Sequence, residues 1–486
     1  MSQELTLRDS LTVQTYQKNN FDTSSEDSKF SYTSARVGKP LYNTYEKNDF
    51  KVFGYYNGAC QYDARLDGSE ESDRAGRGRD LMNINPDAYD KIIIGFCGIV
   101  GDQGENKEAI KRAAQEFNKK DNEPTFIDSW GYLLSYCNVG FDGWLSSDVL
   151  ESFSQNKCQG LLGGLRKLKE KNPNLVISLS IGGRELSQPF HELVKSSEKR
   201  TTFANGVADI LKRFPMIGEI DLDWEYPGGD GGSEDPQNYA ELIKKVKSTL
   251  SSNSRDDVKI SIAAAGDIDK IKAANIPLLM EAGVSYIKIM TFDFFGTPWS
   301  DSLAHHTNLK SNPQDKKSYG IDVVVNYLIK ELNVPSKSLF IGFAAYSRNA
   351  KNAEISSSSP LSGNCSPHEG TTIGTFESGV TEYYDILYNY LDLNSKSGKN
   401  GFSLYTDKVG DADFLYNPRS RVFMSIDTPR SVKSKGEYVV RNNLGGLFTY
   451  TIDQDHGLLL NAAREGLGNV ITKKEVDMSE YYFNGR

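Results

Sequence analysis

Asp221, Asp223 and Glu225 occupy alternate positions in Ile220-Asp221-Leu222-Asp223-Trp224-Glu225-Tyr226-Pro227-Gly228-Gly229. Their neighbours favour a β-strand, where successive side chains point to opposite faces. The three carboxyls therefore share one face, and Leu222 and Trp224 the other. Carboxylates in a row on a buried face repel one another and are poorly solvated unless they share protons. Pro-Gly-Gly ends the strand abruptly and leaves Glu225 at its rim. A glutamic acid beside Asp223, raised in pKa by burial and like charge, can act as a general acid near neutral pH. The alternative is a solvated acidic face over buried Leu222 and Trp224, and the rest of the chain argues against it.

Seven other short apolar runs join this one: 51–56, 91–96, 175–180, 258–263, 286–291, 339–343 and 444–450, with the acidic run itself spanning 217–225. Helical patterns lie between several of them, at 198–213, 236–251 and 321–332. Eight strands alternating with helices predict an α/β fold, a (β/α)8 TIM barrel, whose active site belongs at the carboxyl ends of the strands. A doubly wound sheet is the competing architecture, but it has no reason to stop at eight. About eighty residues separate the second and third strands, and about a hundred the seventh and eighth. The later stretch holds Gly-, Ser- and Asn-rich turns with β-like segments and reads as a small α+β insertion that walls a cleft. The expected organisation is a polar leader over 1–49, read as extended or partly disordered, that Tyr32, Tyr42 and Tyr45 could lay along the body. A catalytic barrel follows over 50–348 and 433–475, with the insertion at 349–432 and a tail at 476–486.

The chain has 486 residues, 38% of them hydrophobic, enough for a sizeable core. The net charge of −9 is spread along the chain, which argues against nucleic acid as a partner. The 26 Tyr and 23 Phe suit a sugar-binding cleft, though such rings also build cores. Five widely spaced cysteines without C-x-x-C, and five histidines without a ligand spacing, predict no disulfide framework, no metal and no cofactor. No apolar run reaches the roughly 20 residues that span a bilayer. The amino terminus has no basic and apolar signal pattern, so the expectation is synthesis in the cytoplasm and action outside the cell after a non-Sec release.

With these elements in place, the chain resembles the family-18 glycoside hydrolases, the chitinase family. Asp221, Asp223 and Glu225 match its D-x-x-D-x-D-x-E motif, Ser180-Ile-Gly-Gly183 its S-x-G-G, and Met290-Thr-Phe-Asp293 its M-x-Y-D. Gly54-Tyr55-Tyr56 matches the barrel-opening G-Y-Y, and Tyr346-Ser-Arg348 the strand-seven Y-x-R. Any of these besides the acidic trio is weak alone; their order at successive strand ends, over residues 50 to 470, makes the match specific. The insertion resembles that of the deep-cleft subfamily.

The resemblance implies a substrate-assisted, retaining hydrolysis of β-1,4-linked N-acetylglucosamine chains. Glu225 would be the acid and then the base. Asp223 would hold the substrate's acetamido N–H, and Asp221 would share a proton with Asp223. Ser180 and Tyr55 would hold the two aspartates, and Met290 and Asp293 would line the sugar site. Phe96 and Tyr346 would shape the pocket, Arg348 would bind sugar hydroxyls or shape a wall, and Trp299 would stack on the leaving-group sugars. Met290 and Phe96 also read as core-like, Trp130 and Trp144 as either core or cleft, and His305-His306 as structural. The glycines at 228, 229, 231 and 232 read as a mobile loop rather than a phosphate cradle.

Three positions depart from the family pattern. Gly218 stands where the first motif Asp belongs, with a structural consequence at most. Phe292 replaces the motif Tyr and removes a hydroxyl that would bond the reacting acetamido group, worth about 1–3 kcal/mol, or roughly 5- to 150-fold in rate. Tyr450 replaces the usual Trp under the reacting sugar, at a cost of about 1 kcal/mol. A working but slower or differently selective hydrolase is expected. The alternatives are an endo-β-N-acetylglucosaminidase, which the long insertion disfavours, or a catalytically weak glycan-binding scaffold. The polar leader and motif variants are also similar to chitinases carried by bacterial insecticidal toxin complexes, whose subunits would then be partners.

Overall fold

The computed structural model describes residues 3–22, 30–66, 75–229, 232–297, 299–300, 302–315, 317–365 and 370–486. Parts of the expected leader (residues 1, 2 and 23–29), Gly231 and Pro298 lie outside the described residues.

Each of the eight expected strands forms: β1 (Lys51–Asn57), β2 (Lys91–Ile99), β3 (Val176–Gly182), β4 (Ile217–Asp223), β5 (Lys259–Ala265), β6 (Tyr286–Met290), β7 (Leu339–Ala344) and β8 (Gly446–Tyr450). They pair in parallel in the order β1-β8-β7-β6-β5-β4-β3-β2, and β1 pairs with β2 to close a (β/α)8 barrel. Such strands are covered on both sides, which is why runs like Ile92-Ile93-Ile94 are entirely buried. Helices Gly160–Lys171, Ser197–Arg213, Asp235–Ser252, Ile321–Asn326 and Pro429–Arg441 precede β3, β4, β5, β7 and β8. On β4, Leu222 and Trp224 face this helical layer, fully buried, and Trp224 stacks on Phe190 at 5.5 Å. The carboxyls of β4 therefore point into the barrel.

One residue after β7, Tyr346–Ala350 opens a five-stranded antiparallel sheet, pairing with Val380–Glu382 on one side and Val422–Ile426 on the other. This sheet rises from the carboxyl-end face as one wall of a cleft. Between β2 and β3, Pro124–Phe126 adds an antiparallel strand to the end of β2, with Phe126 opposite Cys97. It leads to Trp130 and Trp144, whose rings meet edge to face at 5.2 Å; Trp144 is 58% exposed and so is not core.

The leader differs from its extended reading. Ser10–Asn19 is a helix, and Thr44–Glu46 is a strand antiparallel to Val470–Lys473. The helix buries only Thr12 and Thr15 and is docked by hydrogen bonds, with Arg65 Nη1 donating to Thr15 at 3.3 Å, so no apolar stripe announced it. Tyr42 is buried, and the Tyr45 hydroxyl lies 3.2 Å from Glu465, so both do run along the body. Among the described residues no helix is long and apolar enough to cross a membrane.

Candidate active site

Four acids line one face of β4 and its end: Glu219, Asp221, Asp223 and Glu225. Gly218 marks a register slip, since Ile177 opposes Ile217 while Ser178 opposes Glu219. Glu219, two positions before Asp221, continues the alternation of the expected trio and also points inward. Glu219 is buried, paired with Lys91 of β2, and accepts from Ser178 Oγ at 3.1 Å and Ser261 Oγ at 2.9 Å.

Asp221 has no exposed surface. Its Oδ2 accepts from Tyr55 Oη at 2.7 Å and Ser180 Oγ at 2.9 Å; its Oδ1 lies 2.8 Å from Lys288 Nζ and 3.0 Å from Ser261 Oγ. Burial alone would raise its pKa, but the Lys288 charge and these donors hold it below the usual carboxylate value. Asp223, one pitch higher, is treated in the opposite way. Its Oδ1 is buried without a partner, and burial, the Glu225 charge and the Asp221 charge push its pKa well above the ordinary value. Glu225 follows at the mouth. Burial raises its pKa, a hydrogen bond from Tyr226 opposes this, and the Asp293 charge adds to it. Two neighbouring carboxyls that favour the protonated form can hold and hand on a proton near neutral pH.

The backbone beside this pair is fixed by Ser180-Ile-Gly-Gly183. A Cβ on Gly182 would stand 2.2 Å from the Asp223 carbonyl oxygen, and Gly182 and Gly183 both take positive φ, 110° and 85°. The Gly183 amide donates to that same oxygen at 2.7 Å. Ser187 Oγ also donates to it at 2.9 Å and accepts the Glu225 amide at 3.0 Å. These glycines are a close-packed strand end that sets where Asp223 and Glu225 sit.

Above them opens a cleft of about 600 Å³. Asp223, Glu225, Tyr55, Phe96, Met290, Phe292, Asp293, Trp299, Tyr346, Arg348 and Tyr450 all line it, whereas Asp221 and Ser180 lie beneath its floor. The floor is made of rings: Tyr450 stands 5.7 Å from Tyr55, 6.1 Å from Phe292 and 6.2 Å from Tyr346. Asp293 takes Arg348 Nε on one oxygen at 2.7 Å and Arg348 Nη2 on the other at 2.8 Å. The Tyr346 hydroxyl adds a third bond at 2.8 Å. Arg348 holds the Asp293 pKa far below its ordinary value against the effect of burial. The Arg348 guanidinium also lies over the Trp299 ring at 4.9 Å, so Arg348 fixes an acid and an indole at once. Trp299 is 40% exposed, at the rim. His306 stands 3.7 Å from Asp293, and His305 bonds Asp407 at 3.1 Å; both are buried.

Sequence reasoning missed Glu219, Lys91, Ser261, Lys288, Ser187 and Tyr226. The signal for the two lysines was available: each stands inside an apolar strand run, Lys91-Ile-Ile-Ile and Tyr-Ile-Lys288-Ile-Met, where only a buried counter-charge makes a cation tolerable. Among the described residues no three His, Cys, Asp or Glu side chains converge as a metal site.

Comparison with known proteins finds the family model of glycosyl hydrolases family 18 matching residues 51–455. Chitinase 1 of Yersinia entomophaga is 41% identical over 97% of this chain and 90% of its own length. Chitinase 2 of the same organism is 38% identical over 99% and 82%. The crystal structure of the chitinase Chi1, fitted into the Yersinia entomophaga toxin complex, superposes with a TM-score of 0.92 at 40% identity, covering 97% of this chain and 95% of that one.

Proposed function

The chain belongs to glycosyl hydrolases family 18, and from that premise we propose that it is a chitinase, cleaving β-1,4 bonds between N-acetylglucosamine units with retention. The observation that carries this reading is the contrast at the end of β4. Asp221 is held beneath the floor by Tyr55, Ser180, Ser261 and Lys288, while Asp223 and Glu225 face the cleft, where burial raises the pKa of both.

Glu225 donates its proton to the glycosidic oxygen as the C1–O bond breaks. The carbonyl oxygen of the substrate's own 2-acetamido group attacks C1 and forms an oxazolinium ion. Asp223 accepts the acetamido N–H and stabilises that cation. Water then attacks C1, its proton returns to Glu225, and the acetamido group is released. Phe96, Phe292, Tyr346 and Tyr450 form apolar walls that exclude water, and Met290 fills the gap between them. The Asp293–Arg348 pair offers polar atoms to sugar hydroxyls, and Trp299 offers a ring face for the leaving-group side.

Release of fluorophore from chitobiose and chitotriose conjugates by wild type and by Glu225→Gln tests the reading. Turnover that drops at least about a thousandfold in the variant, more than one binding contact can supply, is the expected outcome. A wild type that binds oligosaccharide without turning it over would make Phe292 and Tyr450 marks of a glycan-binding descendant.

The superposition on a chitinase fitted into a toxin complex supports one further reading, that this chain also joins such an assembly and acts outside the cell that makes it. Co-purification of the tagged chain from its native host, followed by size-exclusion chromatography, tests this; a lone monomer would count against it.

A further inference from the structure

Beneath the cleft two lysines face two carboxylates. Lys288 of β6 and Asp221 are both wholly buried, and Lys288 Nζ lies 2.8 Å from Asp221 Oδ1 and 2.8 Å from Ser261 Oγ. One step lower, Lys91 pairs with Glu219, and Ser261 of β5 stands between the two pairs. Tyr55 and Ser180 occupy the other oxygen of Asp221. A proton placed on Asp221 would displace one of these donors and leave the Lys288 charge stranded away from water, a costly state. Asp223 has no such donors on its buried Oδ1.

The geometry points to Lys288 as a positioning residue that fixes Asp221 as a permanent carboxylate and so confines the catalytic proton to Asp223 and Glu225. This deepens the hydrolase reading above and rests on it. At rest the proton sits on Asp223. When the acetamido N–H of the substrate donates to Asp223, the proton passes to Glu225, then to the leaving oxygen, and a proton from water replaces it. Asp221 gains and loses nothing through the cycle, which replaces the proton sharing between Asp221 and Asp223 that the family resemblance implies. The groups facing Asp221 and Asp223 are Tyr55 from β1, Lys91 from β2, Glu219 below them, Lys288 from β6 and Tyr239 from the helix Asp235–Ser252. At the mouth Tyr226, Asp293, Arg184, Lys270 and Tyr450 face Glu225. Of the cations beneath Asp223, Lys91 is committed to Glu219, which leaves Lys288 to set the charge of Asp221.

The test is the pH profile of kcat/KM on the chitotriose conjugate for wild type, Lys288→Met, Lys288→Arg and Asp221→Asn/Lys288→Met. The double variant removes one charge of each sign, and both limbs of its profile are expected within about half a unit of wild type. Lys288→Met leaves Asp221 free to take up a proton, and its acidic limb is expected to move up by about 1–3 units. Lys288→Arg keeps the charge and the limbs. A double variant whose acidic limb moves by about a unit or more would mean that Asp221 stores a proton in the wild type, and would overturn the proposal. So would a Lys288→Met variant with a lowered plateau and unmoved limbs, the mark of a merely structural lysine. If Lys288→Met does not fold, the double variant, which strands no charge, decides. Failure of the hydrolase reading looks different: Glu225→Gln would keep its turnover wherever the limbs lie. Without any turnover, the protonated-carboxyl band of the infrared spectrum still decides. It is expected to persist in the double variant and weaken in Asp223→Asn, and its loss in the double variant would overturn the proposal.

Discussion

The lower and upper halves of the acidic row on β4 are built from the same residue types two positions apart, yet the barrel treats them in opposite ways. Glu219 and Asp221 sit among lysines, serines and a tyrosine that satisfy and neutralise them. Asp223, with an unpartnered buried oxygen, and Glu225, bonded by Tyr226, sit where the lysines end and the cleft begins. A carboxyl next to a fixed cation is an inert charge, whereas a carboxyl denied one is a proton carrier. The strand supplies the spacing, and its neighbours across the barrel assign the roles. On this view the lower pair should matter to the fold and the upper pair to the reaction.

The largest effects should separate along that line. Glu225→Gln is expected to lose at least about a thousandfold in kcat/KM, roughly 4 kcal/mol of transition-state stabilisation. Its fold should not be weakened, because Gln keeps the size of the side chain and removes a carboxyl whose charge burial already disfavours. Lys91→Met is expected to do the reverse. It leaves Glu219 buried without its cation, which destabilises a fold by about 3–5 kcal/mol. A urea melt should show the loss, while the protein that remains folded keeps most of its kcat. A Lys91→Met variant as stable as wild type would break the comparison at its lower end.

Next in size is a difference of sign. The Asp223 pKa is raised in the folded state, so the stability this group contributes is complete below its unfolded value, about 3.9, and is lost as pH rises through the folded value. Asp223→Asn removes that burden. The variant should therefore gain stability over wild type as pH rises from about 4 towards 7, while losing activity. Asp221 has a lowered pKa, so its contribution is present above the unfolded value and is lost as pH falls through the folded one. Melts of wild type and Asp223→Asn across this range check the first sign. A stability difference that does not grow with pH would mean that Asp223 is ionised in the folded protein.

The row itself was readable from the sequence because a strand has a period of two, and Trp224 and Leu222 supplied the alternate face. The barrel was readable because its strands are continuous apolar runs between helical patterns. The partners of the row's lower half were not, for a geometric reason. Glu219 itself keeps the period of two, standing two positions before Asp221, and the register slip at Gly218 lies outside the row. Its partners Lys91, Ser178 and Ser261 come from β2, β3 and β5, and Lys288, the partner of Asp221, comes from β6, strands that gather around the row only in the folded barrel. The helix Ser10–Asn19 was missed for a related reason: its anchors are hydrogen bonds to distant residues, and local patterning does not encode those.

Phe292 is the upper site's own missing donor, and Phe292→Tyr should sharpen the picture by a smaller amount. Its ring lines the cleft beside Tyr346 and Tyr450. A hydroxyl there that reaches the reacting acetamido group would raise kcat by roughly 5- to 150-fold. An unchanged kcat would mean that another donor of this cleft already serves that group.

Tyr450→Trp should have the smallest effect, and it should appear in a different parameter. Tyr450 belongs to the ring floor with Tyr55, Phe292 and Tyr346 and carries no proton in the cycle. A larger ring covers more of the sugar face in the ground state and the transition state alike, a gain of about 1 kcal/mol. Interactions made equally in both states lower KM and leave kcat in place. The expected outcome is a roughly fivefold lower KM at nearly constant kcat, set against Phe292→Tyr, which acts on kcat. A Tyr450→Trp variant that changed kcat instead would mean the floor takes part in moving the substrate toward the oxazolinium geometry. The division between proton carriers on β4 and passive rings around them would then have to be redrawn.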